Sequence, residues 1–135
     1  MVTHDTVSGL IEERGKFLLV RRATEPQKGW WAVPGGHVDP GETIIGAVVR
    51  ELREEVGSVD IDKNPFHVFV HDVKFDRYSK EKHEHRCHVF RGVVNGDIRA
   101  GSDASEVGWY TPEEIRKMKN LTGYTVTILK KIGIL

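Results

Sequence analysis

The stretch from Gly36 to Gly57 reads GHVDPGETIIGAVVRELREEVG, and its second half decides much of the architecture. From Thr43 to Val56, the apolar residues Ile44, Ile45, Val48, Leu52 and Val56 recur at helical spacing and can bury one broad face. Arg50, Glu51, Glu54 and Glu55 occupy another part of the surface. This periodicity predicts a helix over residues 43–56, ended by Gly57, which accepts left-handed backbone angles at little cost. The loop before the helix is rich in glycine: Gly35, Gly36 and Gly41 suit tight turns and close backbone approach.

Working outward, SGLI and FLLV flank EERGK, so that Gly15 can relax a reversal between two short strands. EPQKG then interrupts the apolar pattern, and WWAV from Trp30 to Val33 predicts a return to strand. Beyond the helix, FHVFVHDVKF and CHVFRGVV carry the aromatic and β-branched residues of two further strands, with RYSKEKHEHR between them as a hairpin or a loop beside the site. Trp109 and Tyr110 end a short strand before Thr111 caps a helix beginning at Pro112, with Glu113 and Glu114 near its positive end. The final TGYTVTILKKIGIL predicts a packing helix capped by Thr122. Because Thr125, Val126, Thr127 and Ile128 lower helix propensity, a terminal strand is the competing assignment. Strands interspersed with a few helices imply an α/β (α+β) sandwich, not a helical bundle.

The 135 residues fit one domain, residues 1–135, and the 39% hydrophobic content supplies a core. Twenty Lys plus Arg offset twenty Asp plus Glu, so global charge gives no reason to expect a nucleic-acid partner. The single Cys87 excludes an intrachain disulfide. With no signal-like N-terminal stretch and no segment long enough to span a membrane, the expected location is cytoplasmic, with no membrane partner. Exposed apolar surface is compatible with a homodimer.

Chemistry concentrates on the helix. Glu51 stands three residues from Glu54 and four from Glu55, so these carboxylates share a face and repel one another unless a cation intervenes. An oxygen-rich site favours magnesium, with manganese as a substitute, and such ions bind phosphate while activating water. The alternative is a solvated face paired with Arg50 and Arg53.

Gly36, Glu42, Arg50, Glu51, Leu52, Glu54, Glu55 and Gly57 together closely resemble the Nudix hydrolase box, at the expected separations. The box covers about 22 residues. The family places a bulky aliphatic residue directly after the last glycine, where this chain has Ser58 followed by Val59. The resemblance implies an alpha-beta-alpha sandwich with a mixed sheet and a small MutT-like enzyme. It implies Glu51, Glu54 and Glu55 as metal-binding or water-activating residues and a backbone carbonyl of Gly36 in the metal shell. Glu42 and Arg50 would organise the carboxylates, Glu42 near the helix N-terminus and Arg50 through a charge-assisted hydrogen bond. Glu106 resembles an auxiliary acid of the family; an exposed loop acid is the alternative.

Arg21, Arg22 and Lys28 could form a basic rim for phosphates, or simply be solvated. Trp30 and Trp31 could stack on a base, but successive strand residues point to opposite sides, so at least one is assigned to packing. His37 and His71 are candidate substrate contacts. His83, His85 and His88 lack a companion set for a transition metal and are assigned surface or hydrogen-bonding roles. The expected reaction is magnesium-dependent attack of water on a nucleoside diphosphate linked to another group. The alternatives are a nucleoside-triphosphate pyrophosphatase, including one acting on oxidised nucleotides, and a weakly catalytic nucleotide-binding regulatory module.

Overall fold

The computed structural model describes residues 2–76, 78–101 and 103–135. Strands β1 (Thr3–Glu13) and β2 (Lys16–Arg22) form the expected antiparallel hairpin. Its reversal places Arg14 at φ 52° and Gly15 at φ 76°, two left-handed residues whose twist matches that of the flanking strands. Alternation then sorts the side chains: Val7, Ile11, Leu18 and Val20 join one core, while Leu10, Phe17 and Leu19 join another.

After β3 (Trp31–Ala32) and β4 (Gly35–His37), helix α1 spans Ile44–Glu55. Thr43 is its N-cap, its side chain accepting the Gly46 amide at 3.0 Å. Gly57 follows at φ 128°, as expected of a residue chosen for left-handed angles. Ala47, Val48 and Leu52 bury against Val7, Ile11, Leu18, Val20 and Phe90. A Cβ on Gly9 would lie 2.7 Å from Leu52 Cδ2, so that glycine lets the helix settle directly onto β1. Ser58 is exposed, and Val59 supplies the aliphatic packing against this core.

The chain continues through β5 (Val59–Ile61), β6 (His67–Val73), β7 (His83–Val94) and β8 (Ala104–Tyr110). Among the described residues the result is an eight-stranded mixed sheet. β1 runs parallel to β7 from Thr3 opposite Glu84 to Ile11 opposite Gly92, and antiparallel to β4 through Thr6–Ser8. β5 and β6 pair with β7, while β3 and β8 pair with β2. Helices α2 (Pro112–Arg116) and α3 (Gly123–Lys131) bring Ile115, Ile128 and Leu129 against Leu10, Phe17, Leu19, Cys87 and Val89. The sheet is thus packed between α1 and the α2–α3 pair, the sandwich anticipated from the sequence.

Three local expectations need correction. Strand β3 is shorter than Trp30–Val33. Strand β7 begins at His83, so the HEHR end of the RYSKEKHEHR connection is strand; its alternation is hidden because the buried positions are His83 and His85. Within that connection, Arg77 lies outside the described residues. The terminal segment is helical, but Thr122 makes no side-chain cap; its hydroxyl donates to Thr125 Oγ1 at 2.8 Å. Thr125 Oγ1 in turn accepts the Val33 amide at 3.0 Å, a buried tertiary anchor that overrides β-branched propensity. At Thr111 the capping box forms as expected, with the Glu114 amide donating to Thr111 Oγ1 at 3.1 Å and the Thr111 amide to Glu114 Oε1 at 2.9 Å.

Candidate active site

A cavity of about 170 Å³ opens where β4 lies between β1 and α1. Gly36, Glu51 and Glu55 line it, with Arg22 and His37. The glycines of β4 are dictated by proximity. A Cβ on Gly36 would stand 2.5 Å from both carboxylate oxygens of Glu51, and one on Gly35 would stand 2.9 Å from Ser8 Cα. Thus Gly36 admits the Glu51 carboxylate against the backbone, and Gly35 admits the backbone of β1.

Behind the cavity, the guanidinium of Arg50 ties the loop to the helix. Its Nε and Nη2 donate to the two oxygens of Glu42 at 2.7 and 2.9 Å, a bidentate pair. Nη2 also donates to the His37 carbonyl at 3.0 Å, and Nη1 to Glu51 Oε1 at 3.0 Å. Glu42 Oε1 accepts the Asp39 amide at 3.0 Å as well. The Arg50 hydrogen bonds lead the causes that hold the Glu42 carboxyl at about 2, and Glu42 likewise raises the Arg50 guanidinium. The geometry therefore places Arg50 behind Glu51, where it orients the carboxylate without entering the cavity.

Glu55 is buried, and burial pushes its carboxyl up to about 8, aided by the negative charge of Glu51 and opposed by a backbone hydrogen bond from Gly35. Two carboxyl groups at the edge of a buried cavity form an electrostatic deficit suited to a hard divalent cation. Glu54 lies outside the cavity lining, its side chain 48% exposed beside Arg50 Nη1 at 3.4 Å.

The remaining sequence candidates divide. Arg22 reaches the cavity, with Nε donating to the Pro26 carbonyl at 2.9 Å. Arg21, Lys28, Trp30, Trp31 and Glu106 are absent from its lining. Arg21 instead pairs with Glu106 at 3.1 Å, both well exposed, while Trp31 packs edge-on against Tyr110 at 5.2 Å between centroids. His71 and His85 line the cavity too, with Asp76, Tyr78, Asp103 and Tyr124. Sequence reasoning missed these last four. Tyr124 sits in a segment read only for packing, and the acids come from connections with no pattern to mark them. His83 and His85 do have companions, in Asp76 and His4, whereas His88 pairs with Asp5 at 3.0 Å.

The family model for the NUDIX domain matches residues 2–129. The ADP-ribose pyrophosphatase of Methanocaldococcus jannaschii is 36% identical over 117 residues, covering 83% of this chain; the chain spans 64% of that relative's length. The nucleoside triphosphatase NudI of Salmonella typhimurium is 32% identical over 117 residues, which cover 81% of this chain and 82% of that protein. Among solved structures, a MutT NUDIX hydrolase from Burkholderia pseudomallei superposes with a TM-score of 0.79 at 25% identity, covering 98% of this chain and 99% of that one. No helix among the described residues is long and apolar enough to cross a membrane.

Proposed function

This chain belongs to the Nudix family, and on that premise we propose that it is a divalent-cation-dependent hydrolase of a nucleoside diphosphate linked to another group. The observation that carries the reading is the convergence of Glu51 and Glu55 on one cavity beside Gly36. The likeness to an ADP-ribose pyrophosphatase supports the substrate class.

The donor atoms fit magnesium, or manganese in its place: carboxylates of Glu51 and Glu55, the Gly36 carbonyl and, after rotation inward, Glu54 offer hard oxygens only. Bound there, the ion would polarise phosphate oxygens and lower the pKa of water. The protein's own part is positional. Arg50 fixes Glu51, Gly36 leaves room for its carboxylate, and Gly35 holds Glu55 through its backbone amide. Arg22 supplies positive charge at the cavity wall for the diphosphate. In the net reaction a water oxygen bonds to phosphorus and the bridging P–O bond breaks. One proton passes to the solvent through a carboxylate, and the products are a nucleoside monophosphate and a phosphorylated second fragment.

The similarity to NudI favours a second reading, pyrophosphate release from nucleoside triphosphates, oxidised forms included. A panel of nucleotide sugars, dinucleotides and triphosphates, incubated with and without magnesium and followed by product identification, separates the two. Glu51→Gln should abolish turnover in either case. Specific binding of one nucleotide with no metal-dependent turnover across the panel would replace both readings with a regulatory binding module.

A further inference from the structure

A second cluster of ligating side chains, outside the acidic helix, reaches the same cavity through Asp76 and His85. Parallel pairing sets His4 of β1 directly beside His85 of β7, and His83, two residues earlier, shares the His85 face. Asp76 approaches from the β6–β7 connection. Its Oδ1 accepts the amides of Tyr78 and Ser79 at 2.8 and 2.9 Å, which turns Oδ2 toward the histidines. Oδ2 lies 3.0 Å from His83 Nε2 and 3.0 Å from His85 Nε2, and those two nitrogens are 3.1 Å apart.

Hydrogen bonding satisfies the three atoms only if both imidazoles bring an Nε2 proton to Asp76 Oδ2, an oxygen that also lies 3.2 Å from His37 Nε2. His83 Nδ1 lies 2.8 Å from the Glu81 carbonyl, an obligate acceptor, so Nδ1 carries a proton and Nε2 of the neutral ring presents a lone pair. That lone pair faces a carboxylate oxygen and a second imidazole nitrogen. The protonated alternative makes His83 an imidazolium and sets its Nε2–H 3.1 Å from the Nε2–H of His85, both aimed at one carboxylate oxygen. A metal cation in the middle takes a lone pair from each of the three with no added proton. Nδ1 of His4 is also buried with no hydrogen-bond partner among the described residues. One ligand atom from each of His4, Asp76, His83 and His85 lies within 4.8 Å of every other. Tetrahedral zinc with bonds of about 2.0–2.1 Å separates its ligands by about 3.3 Å, close to the edges of the triangle already present.

We propose that His4, Asp76, His83 and His85 form a binding site for a zinc-type transition metal, distinct from the acidic helix and independent of the hydrolase reading. Three imidazoles and one carboxylate are borderline ligands that suit zinc over magnesium. The hydrogen bond from His83 Nδ1 to a backbone carbonyl is the outer support that commonly orients a ligating histidine. The site joins β1, β7 and the β6–β7 connection, and Asp76 and His85 also line the cavity. Its metal would therefore fix two residues of the cavity that Glu51 and Glu55 also line.

The test is zinc titration of the chelator-stripped protein in excess magnesium, with a competing chromophoric chelator and with histidine ring resonances recorded by NMR. One equivalent should bind, shifting the rings of His4, His83 and His85. Asp76→Asn and His4→Gln, chosen because neither empties the buried His83 position, should each weaken zinc by at least about tenfold. Glu51→Gln should bind zinc as the wild type does. Absence of stoichiometric zinc uptake by the wild type, or ring shifts that follow pH and ignore zinc, would overturn the proposal in favour of a shared proton. Zinc uptake abolished by Glu51→Gln and kept by both cluster variants would overturn it in favour of the acidic helix.

Discussion

Replacing Gly36 with alanine separates folding from chemistry. The new Cβ would lie 2.5 Å from each Glu51 carboxylate oxygen, whereas a relaxed carbon–oxygen contact needs about 3.3 Å, so the carboxylate must retreat by roughly 0.8 Å. Glu51 meets the intruding atom with the far end of a flexible side chain, and the fold can absorb the change for about 1 kcal/mol or less. For a domain of this size that is about 2–4 °C in Tm. Chemistry is less forgiving: a misplacement near 1 Å costs on the order of 100-fold in rate, or about 2.7 kcal/mol of barrier. The assay is kcat/KM with ADP-ribose at saturating magnesium, alongside Tm and magnesium titration. Gly35→Ala serves as contrast, since its Cβ would meet the β1 backbone, which cannot step aside, and should destabilise the protein by several kcal/mol. If Gly36→Ala kept turnover within about threefold of wild type, or lost it only by unfolding as Gly35→Ala does, the role given to this glycine would be wrong.

Glu42, held at about 2 chiefly by Arg50, contributes stability that is fully present above the ordinary carboxylate range and is lost as pH falls toward 2. After allowance for solvent screening, Arg50→Lys should remove about 1–2 kcal/mol of stability at pH 7 and flatten the acid limb of a pH–stability profile between about pH 4.5 and 2. Thr111→Ala, by removing one half of a capping box, should cost about 1 kcal/mol in urea unfolding with kcat unaltered. Arg22→Ala should raise KM for a diphosphate substrate by about tenfold, while Arg21→Ala, whose partner is the exposed Glu106, should leave KM within about threefold.

The acidic helix is legible in the sequence because its signal is local: apolar spacing and a terminal glycine both lie within residues 43–57. The hairpin at Arg14–Gly15 and the cap at Thr111 are legible for the same reason. What escaped depends on distant pairing. The start of β7 was hidden because imidazoles occupy its buried positions, where an alternating strand ordinarily shows aliphatic residues. Asp76 has no sequence pattern linking it to His4; the parallel register of β1 and β7, together with the path of the β6–β7 connection, brings them together. The α3 segment was ambiguous because Thr125 earns its helical place through Val33, a residue 92 positions earlier. Candidates such as Lys28 and Trp30 had suitable chemistry but no local feature to show that they lie outside the cavity lining.

The parallel pairing of β1 with β7 also has a consequence for synthesis. At about 5–20 residues per second, roughly 80 residues must be added before β7 reaches its place, leaving one edge of β1 open for on the order of 4–16 s. Until then an apolar strand presents unpaired amides and carbonyls on the ribosome, and the cavity lacks His85, Asp103 and Tyr124. The nascent chain is therefore most exposed to aggregation and to chaperone capture just before β7 emerges, a window that codon usage between β1 and β7 would lengthen or shorten without altering the native structure.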